Sequence, residues 1–156
     1  MINSFIRCFV GLAILGCMAS CNEREVYYKF SPISENEWSK EQEICFLLDS
    51  VPFNTNSNYA VSLEIVHNIN YKYKNLFLYL DYSQQDSILY TDTVECILVD
   101  DYGRWSGSGN GATRQLSVPY KTNLKIDTAL HNEISVRHAM QDLKLKGIEK
   151  IGLKVY

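Results

Sequence analysis

Apolar and polar residues alternate along most of this chain in short runs, and turn residues separate the runs. The clearest case spans Asp92 to Tyr120. Val94, Cys96 and Leu98 alternate with Thr93, Glu95 and Ile97, and later Leu116, Val118 and Tyr120 alternate with Gln115 and Ser117. A period of two sends such sets to opposite faces of a sheet, so both runs read as β-strands. Between them lies a crossing in which Gly103, Gly107, Gly109 and Gly111 supply half of the chain's 8 glycines. That density frees the backbone to turn through positive φ.

The same reading predicts a first strand over Val26, Tyr28 and Phe30, broken at Ser31-Pro32-Ile33-Ser34, with Trp38 capping an edge of the core. Ile44–Leu48 is a short second strand, and Asn54–Asn58 is a loop by composition. In Tyr59–Val66, Val61, Leu63 and Ile65 share one face while Ser62 and Glu64 take the other. Asn68–Asn75 reads as a tyrosine- and lysine-rich connection. Leu76–Tyr82 is apolar on both faces, which predicts a central strand or one covered on both sides. After a turn at Ser83–Asp86, Ile88–Tyr90 leads back towards Asp92. Leu124 and Ile126 start another strand. Ile134, Val136, His138 and Met140 form the next inward row, and Ile151, Leu153 and Val155 the last. A single short helix is expected around Ala139–Lys144. Strands this frequent, without intervening helices, predict an all-β, antiparallel two-sheet β-sandwich of about eight strands, jelly-roll-like.

Residues 1–20 fall outside this pattern. Arg7 precedes an apolar stretch too short to span a bilayer, as in an export signal. Met18-Ala19-Ser20-Cys21 then resembles a bacterial lipobox, in which diacylglycerol alkylates the cysteine thiol and the chain is cut just before it. Cys17 is a poorer candidate because bulky Leu15 stands where a small residue is usual. The alternative is an ordinary secretory signal with an incidental cysteine. The organisation expected is a signal peptide over 1–20, a lipidated tether over 21–25 and one domain over 26–156, within the size of a single domain for a chain of 156 residues. Acyl chains contribute about 0.8 kcal/mol per buried CH₂, so the lipid on Cys21 would hold the product to a membrane.

Charge and composition narrow the classes further. With 46% hydrophobic and 21% charged residues the chain is a folding one. Cleavage removes one base, Arg7, leaving 14 bases against 18 acids and a net charge of −4. That balance argues against nucleic acid and against a polybasic lipid-binding surface. After processing, Cys45 and Cys96 remain beside Cys21. A disulfide is permitted in an oxidising envelope, although two buried free thiols is the preferred reading. No cysteine or histidine spacing indicates zinc.

Candidate chemistry is sparse. Asp100, Asp101 and Asn110 offer oxygen ligands that suit calcium, yet paired acids at strand ends more often accept backbone hydrogen bonds in turns. Ser106–Gly109 lacks the Lys-Ser/Thr of a phosphate loop. His138 reads as a hydrogen-bonded core histidine, and His67 and His131 have no evident nucleophile beside them. No catalytic residue, metal or cofactor is assigned. The 11 tyrosines fit edge positions covering a sheet, and also a sugar-stacking platform. Tyr102, Arg104 and Trp105 stand together in the glycine-rich crossing. Arg and Trp are frequent interface anchors, so the three are candidates for partner binding; a glycan is the alternative ligand. The rival view has Trp105 folding back over a sheet edge and Arg104 pairing with Asp100 or Asp101.

The segments YKYKNLFLYLDYS at 71–83, DTVECILVDDYGRWSGSGNG at 92–111, QLSVPYK at 115–121 and HAMQDLKLKGIEKIGLKVY at 138–156, taken with the lipobox cysteine, resemble the GldH family of gliding-motility lipoproteins. The likeness covers nearly the whole mature chain in the same order. It implies a small lipoprotein of the Bacteroidetes outer membrane, on its periplasmic face or the cell surface. Its partners would be envelope proteins of a surface-motility apparatus linked to protein secretion. The resemblance carries no enzymatic activity and no catalytic residue. Because related proteins occur in bacteria that do not glide, it also allows a role in envelope assembly.

Overall fold

The computed structural model describes residues 25–49 and 51–156. The signal peptide expected over 1–20 and the lipidation expected at Cys21 lie outside the described residues. The described residues form ten strands: β1 (Tyr27–Pro32), β2 (Glu37–Ser39), β3 (Ile44–Leu47), β4 (Tyr59–Asn68), β5 (Asn75–Gln84), β6 (Ser87–Ile97), β7 (Thr113–Leu124), β8 (Asn132–His138), β9 (Lys144–Lys146) and β10 (Ile148–Val155). They form sheets in the orders β1-β10-β4-β7 and β3-β8-β5-β6, plus a small β2-β9 ladder, and every pairing is antiparallel. Without β2 and β9, the eight principal strands counted along the chain run 1-8-3-6 in one sheet and 2-7-4-5 in the other. Chain neighbours thus alternate between sheets or return across them, the double-sheet wrapping of a jelly roll.

Alternation set most faces as expected. Leu76, Leu78 and Leu80 on β5 are fully buried, β5 is flanked by β8 and β6, and Val61, Leu63 and Ile65 on β4 face Val155, Leu153 and Ile151 of β10. Each such side chain contributes about 1.5–3 kcal/mol relative to exposure. Several elements differ from expectation. Ala139–Lys144 is not helical; it is a run of bends leading into β9. No α-helix occurs among the described residues, and the one 3-10 turn is Ser34–Asn36. Leu124 ends β7 and does not open a new strand, although Ile126 beyond it is buried. Trp38 caps no edge: it is fully buried, pairs with Leu145 across β2-β9 and meets His138 edge-on at 5.4 Å. Cys96 is a buried free thiol, but Cys45, at an outward position of β3, is exposed and free.

The second face of β4 is also closed. Ser62 and Glu64 are both buried. Phe30 of β1 lies across Gly152 of β10, where an added Cβ would sit 2.7 Å from the ring and 3.0 Å from the Glu64 Cβ. Only glycine leaves room for both side chains. Glu64 Oε2 accepts a hydrogen bond from Gln115 Nε2 at 2.8 Å, and Ser62 Oγ shares one with the Tyr156 hydroxyl at 2.8 Å. The burial is therefore satisfied, as buried polar groups require.

Candidate functional site

The wrapping collects loops at two ends of the sandwich. At one end the chain enters, with Val26 N–H bonded to Val155 O and Ala60 paired with Tyr156. At the other, His67 lies opposite Ile148, and four segments meet: 33–37, 69–74, 98–112 and 139–147. Gly147 ties three of them together. Its N–H donates to Asn36 O at 2.9 Å, and its carbonyl accepts from Asn68 N–H at 2.8 Å. Its φ is +88°, which favours glycine, and the backbone of Asn70 and Tyr71 packs where a Cβ would stand.

The glycine-rich crossing carries the chain from β6 in one sheet to β7 in the other. Asp100 organises its tip. Its Oδ1 accepts the N–H groups of Tyr102 and Arg104, both at 2.9 Å, and its Oδ2 accepts Arg104 Nε at 2.8 Å. These bonds, the Arg104 N–H first among them, hold the Asp100 carboxyl below its ordinary range. Gly103 completes the turn at φ +79°. Tyr102 is left 85% exposed, with the Arg104 guanidinium 5.3 Å from its ring centre. Asp100 is thus a turn residue, with both oxygens engaged.

Trp105 behaves differently. It is half-buried, bridges Val99, and packs its indole on the His67 imidazole with ring centres 4.8 Å apart. Of the three candidates, Tyr102 and Arg104 share the exposed tip, and Trp105 turns back to cover the end of the core. Beyond it, Ser108 exchanges backbone bonds with Gln115 at 2.9 and 2.7 Å, laying the segment along the start of β7. Positive φ explains Gly103, Gly107 and Gly111. Gly109 has another reason, since a Cβ there would run into the Thr113 backbone.

Beside this tip is a groove that the sequence reading passed over as a connection. Asn70–Tyr73, Asp142 and Lys144–Lys146 line a cavity of about 190 Å³, and Glu35–Glu37 with Asn70, Lys146 and Gly147 line an adjoining one of about 480 Å³. Asp142 Oδ2 accepts Lys72 Nζ at 2.9 Å and the Tyr73 hydroxyl at 3.0 Å. Lys72 and then Tyr73 hold the Asp142 carboxyl below its usual range. Glu37 pairs with Lys146 at 3.1 Å and Lys144 at 3.5 Å. Tyr71 is buried, its hydroxyl donates to Asn75 O at 2.8 Å, and burial pushes its phenol well above the ordinary range. The Tyr-Lys alternation at 71–74 was the available signal, but the acids that pair with these lysines come from distant segments.

The histidines do not converge. His67 and His138 are buried with neither ring nitrogen hydrogen-bonded, so His138 is a core residue without the partner expected for it. Burial lowers both pKa values. His131 pairs with Asp49 at the opposite end. Among the described residues, no group of three or more His, Cys, Asp or Glu side chains is placed to hold a metal ion. What this end offers is a shaped polar and aromatic surface, suited to recognition.

The profile of the GldH lipoprotein family matches residues 25–155, the whole β-sandwich. A curated relative described as a gliding motility lipoprotein GldH homolog, from Christiangramia forsetii (strain DSM 17595 / CGMCC 1.15422 / KT0803), is 26% identical over 160 residues, covering 98% of this chain and 96% of the relative. With a family match across the entire folded region and a relative aligned almost end to end, this chain belongs to the GldH lipoprotein family.

Proposed function

We propose that the protein is a non-enzymatic lipoprotein of the outer membrane, anchored through lipid on Cys21, that docks an envelope protein of a gliding or secretion apparatus. The observation that carries the docking reading is the Tyr102–Arg104 tip. Asp100 holds both residues in one turn, Tyr102 is 85% exposed, and the tip projects from the end of the sandwich opposite the chain entry. A flat phenol beside a guanidinium of fixed direction combines contact area with oriented donors, the combination that recurs at interface hot spots. Trp105 serves this surface by bracing the crossing against His67.

The test is the double change Tyr102→Ala and Arg104→Ala in the full chain, read by co-purification from membranes and by thermal melting. Loss of the envelope partner with an unchanged melt supports docking at the tip. An intact complex would place the contact elsewhere. Trp105→Ala serves as contrast, because it should lower the melting temperature as well. For the anchor, Cys21→Ala should leave the protein unprocessed or release it to the soluble fraction. Unchanged mature mass and membrane partitioning would refute lipidation there.

A further inference from the structure

The chain enters the sandwich at one end, and little of it separates that end from Cys21. Residues 22–24 alone join Cys21 to Glu25. Four peptide steps reach at most about 14 Å. Glu25 is itself fixed: its Oε1 pairs with Lys154 Nζ at 2.8 Å, and the next residue, Val26, donates its N–H to Val155 O at 2.8 Å. The β5-β6 hairpin lies at this same end, because β5 starts after the 69–74 loop of the opposite end and runs away from it. Gln85, in the turn, donates its N–H to His131 O at 2.9 Å. Just past the turn the ladder is interrupted. Tyr82 pairs with Tyr90 and Ser83 with Ile88, so Leu89 opposes no residue of β5. Neighbours on a regular strand face opposite ways, and a bulge re-aims them. Here both apolar neighbours stay out of the core: Ile88 is 61% and Leu89 55% exposed.

We propose that this end rests on the lipid bilayer, with Ile88 and Leu89 dipping into its headgroup boundary and the strands standing away from the surface. The inference rests on the lipid anchor at Cys21 proposed above. The occupant follows from chain length: acyl chains on Cys21 bring the bilayer to within about 14 Å of Glu25, so this end cannot leave the surface. The opposite end is further off, since the 10 residues of β4 rise about 33 Å. Two adjacent apolar side chains on a projecting hairpin suit the interface, which buries such groups between headgroups and upper acyl chains. Leu89 also rims an open cavity of about 590 Å³ with Ile126 and Lys125. The Lys125 stem can follow that rim and carry its ammonium to the phosphates. Around the hairpin, Asp86 and Asp127 outnumber Lys125, so the contact is apolar and needs no anionic lipid. The exposed Tyr102–Arg104 tip then points away from the membrane, where a partner can reach it.

The test uses the mature lipidated chain in vesicles of phosphatidylethanolamine and phosphatidylcholine, with Cys45→Ser to remove the exposed thiol. Ser87→Cys, in the hairpin, carries a nitrobenzoxadiazole fluorophore, and Tyr102→Cys carries the same one at the opposite end. Flotation reports the anchor, and quenching by spin-labelled lipid reports which end meets the bilayer. Position 87 should be quenched with blue-shifted emission, and position 102 should emit as in water. Adding Ile88→Asp and Leu89→Asp to the Ser87→Cys chain should return its emission to the aqueous value while flotation persists. A floating chain with position 87 in water keeps the anchor and overturns this contact. Equal quenching at both positions means that the strands lie flat, and overturns it as well. So does a hairpin that stays quenched with both aspartates in place. A chain that does not float fails earlier, at Cys21, and takes this inference with it.

Discussion

Gly147 ties together the loops at one end of the sandwich, and Gly147→Ala isolates what that link is worth. Two costs arise. The φ of +88° lies in the left-handed region, where a side chain costs about 1–2 kcal/mol. The new methyl would also lie 2.8 Å from the Asn70 carbonyl carbon and against the Tyr71 amide, all of it backbone that cannot rotate away. Relieving that overlap moves the 70–71 segment, at about 1–3 kcal/mol for overpacking. It also threatens the Tyr71 N–H bond to Asn68 O at 3.1 Å. The sum is about 2–5 kcal/mol. Gly103→Ala provides the control, because φ is +79° but nothing stands within 4 Å of its Cβ. It should cost about 1–2 kcal/mol, the conformational part alone. Paired denaturant melts of the purified variants give both values, and the slope checks that the unfolding transition is unchanged. If the two substitutions cost the same, the tight contact at Gly147 has no energetic weight and that end of the sandwich is not one braced unit.

Three further outcomes are expected. The folded pKa values of His67 and His138 are lowered, chiefly by burial, so the unfolded chain binds more protons as pH falls below about 6.5; stability should then drop by up to about 1.4 kcal/mol per pH unit for each. His138→Gln should destabilise the protein at pH 7.5 and flatten that slope, and melts at pH 5.5 and 7.5 that move in parallel with the parent would contradict it. The β5-β6 turn puts Gln85 and Asp86 at φ +49° and +61°, a two-residue hairpin best served by Asn-Gly; Gln85→Asn with Asp86→Gly should add about 1 kcal/mol, read as a melting temperature higher by a few degrees. Leu98→Ala and Leu153→Ala, both fully buried, should each cost about 2–5 kcal/mol in a denaturant melt, whereas exposed Ser117→Ala should stay within about 0.5 kcal/mol.

The sequence by itself determined the elements whose causes are local. The strands over Val61–Ile65, Leu76–Tyr82 and Ile151–Val155 follow from the geometry of an extended backbone, and their inward rows Val61-Leu63-Ile65, Leu76-Leu78-Leu80 and Ile151-Leu153-Val155 are buried as read. The sandwich class followed as well, because strands this closely spaced leave no room for crossover helices. What tertiary structure decided is every property that depends on a neighbour distant in the chain. Glu64 and Ser62 look like a solvent face until Phe30, Gly152 and Gln115 close over them. Trp38 and Trp105 are exposed or buried according to whether His138 and His67 arrive beneath them. The lysines at 72, 144 and 146 read as a solvated connection until Asp142 and Glu37 meet them. The jelly-roll wrapping brings segments near residues 35, 70, 103 and 143 to one end, and no period or turn signal within any of them encodes that meeting. Pairing between strands far apart in the chain is selected by the fit of whole faces, so the site it creates exists only once the sheets have closed.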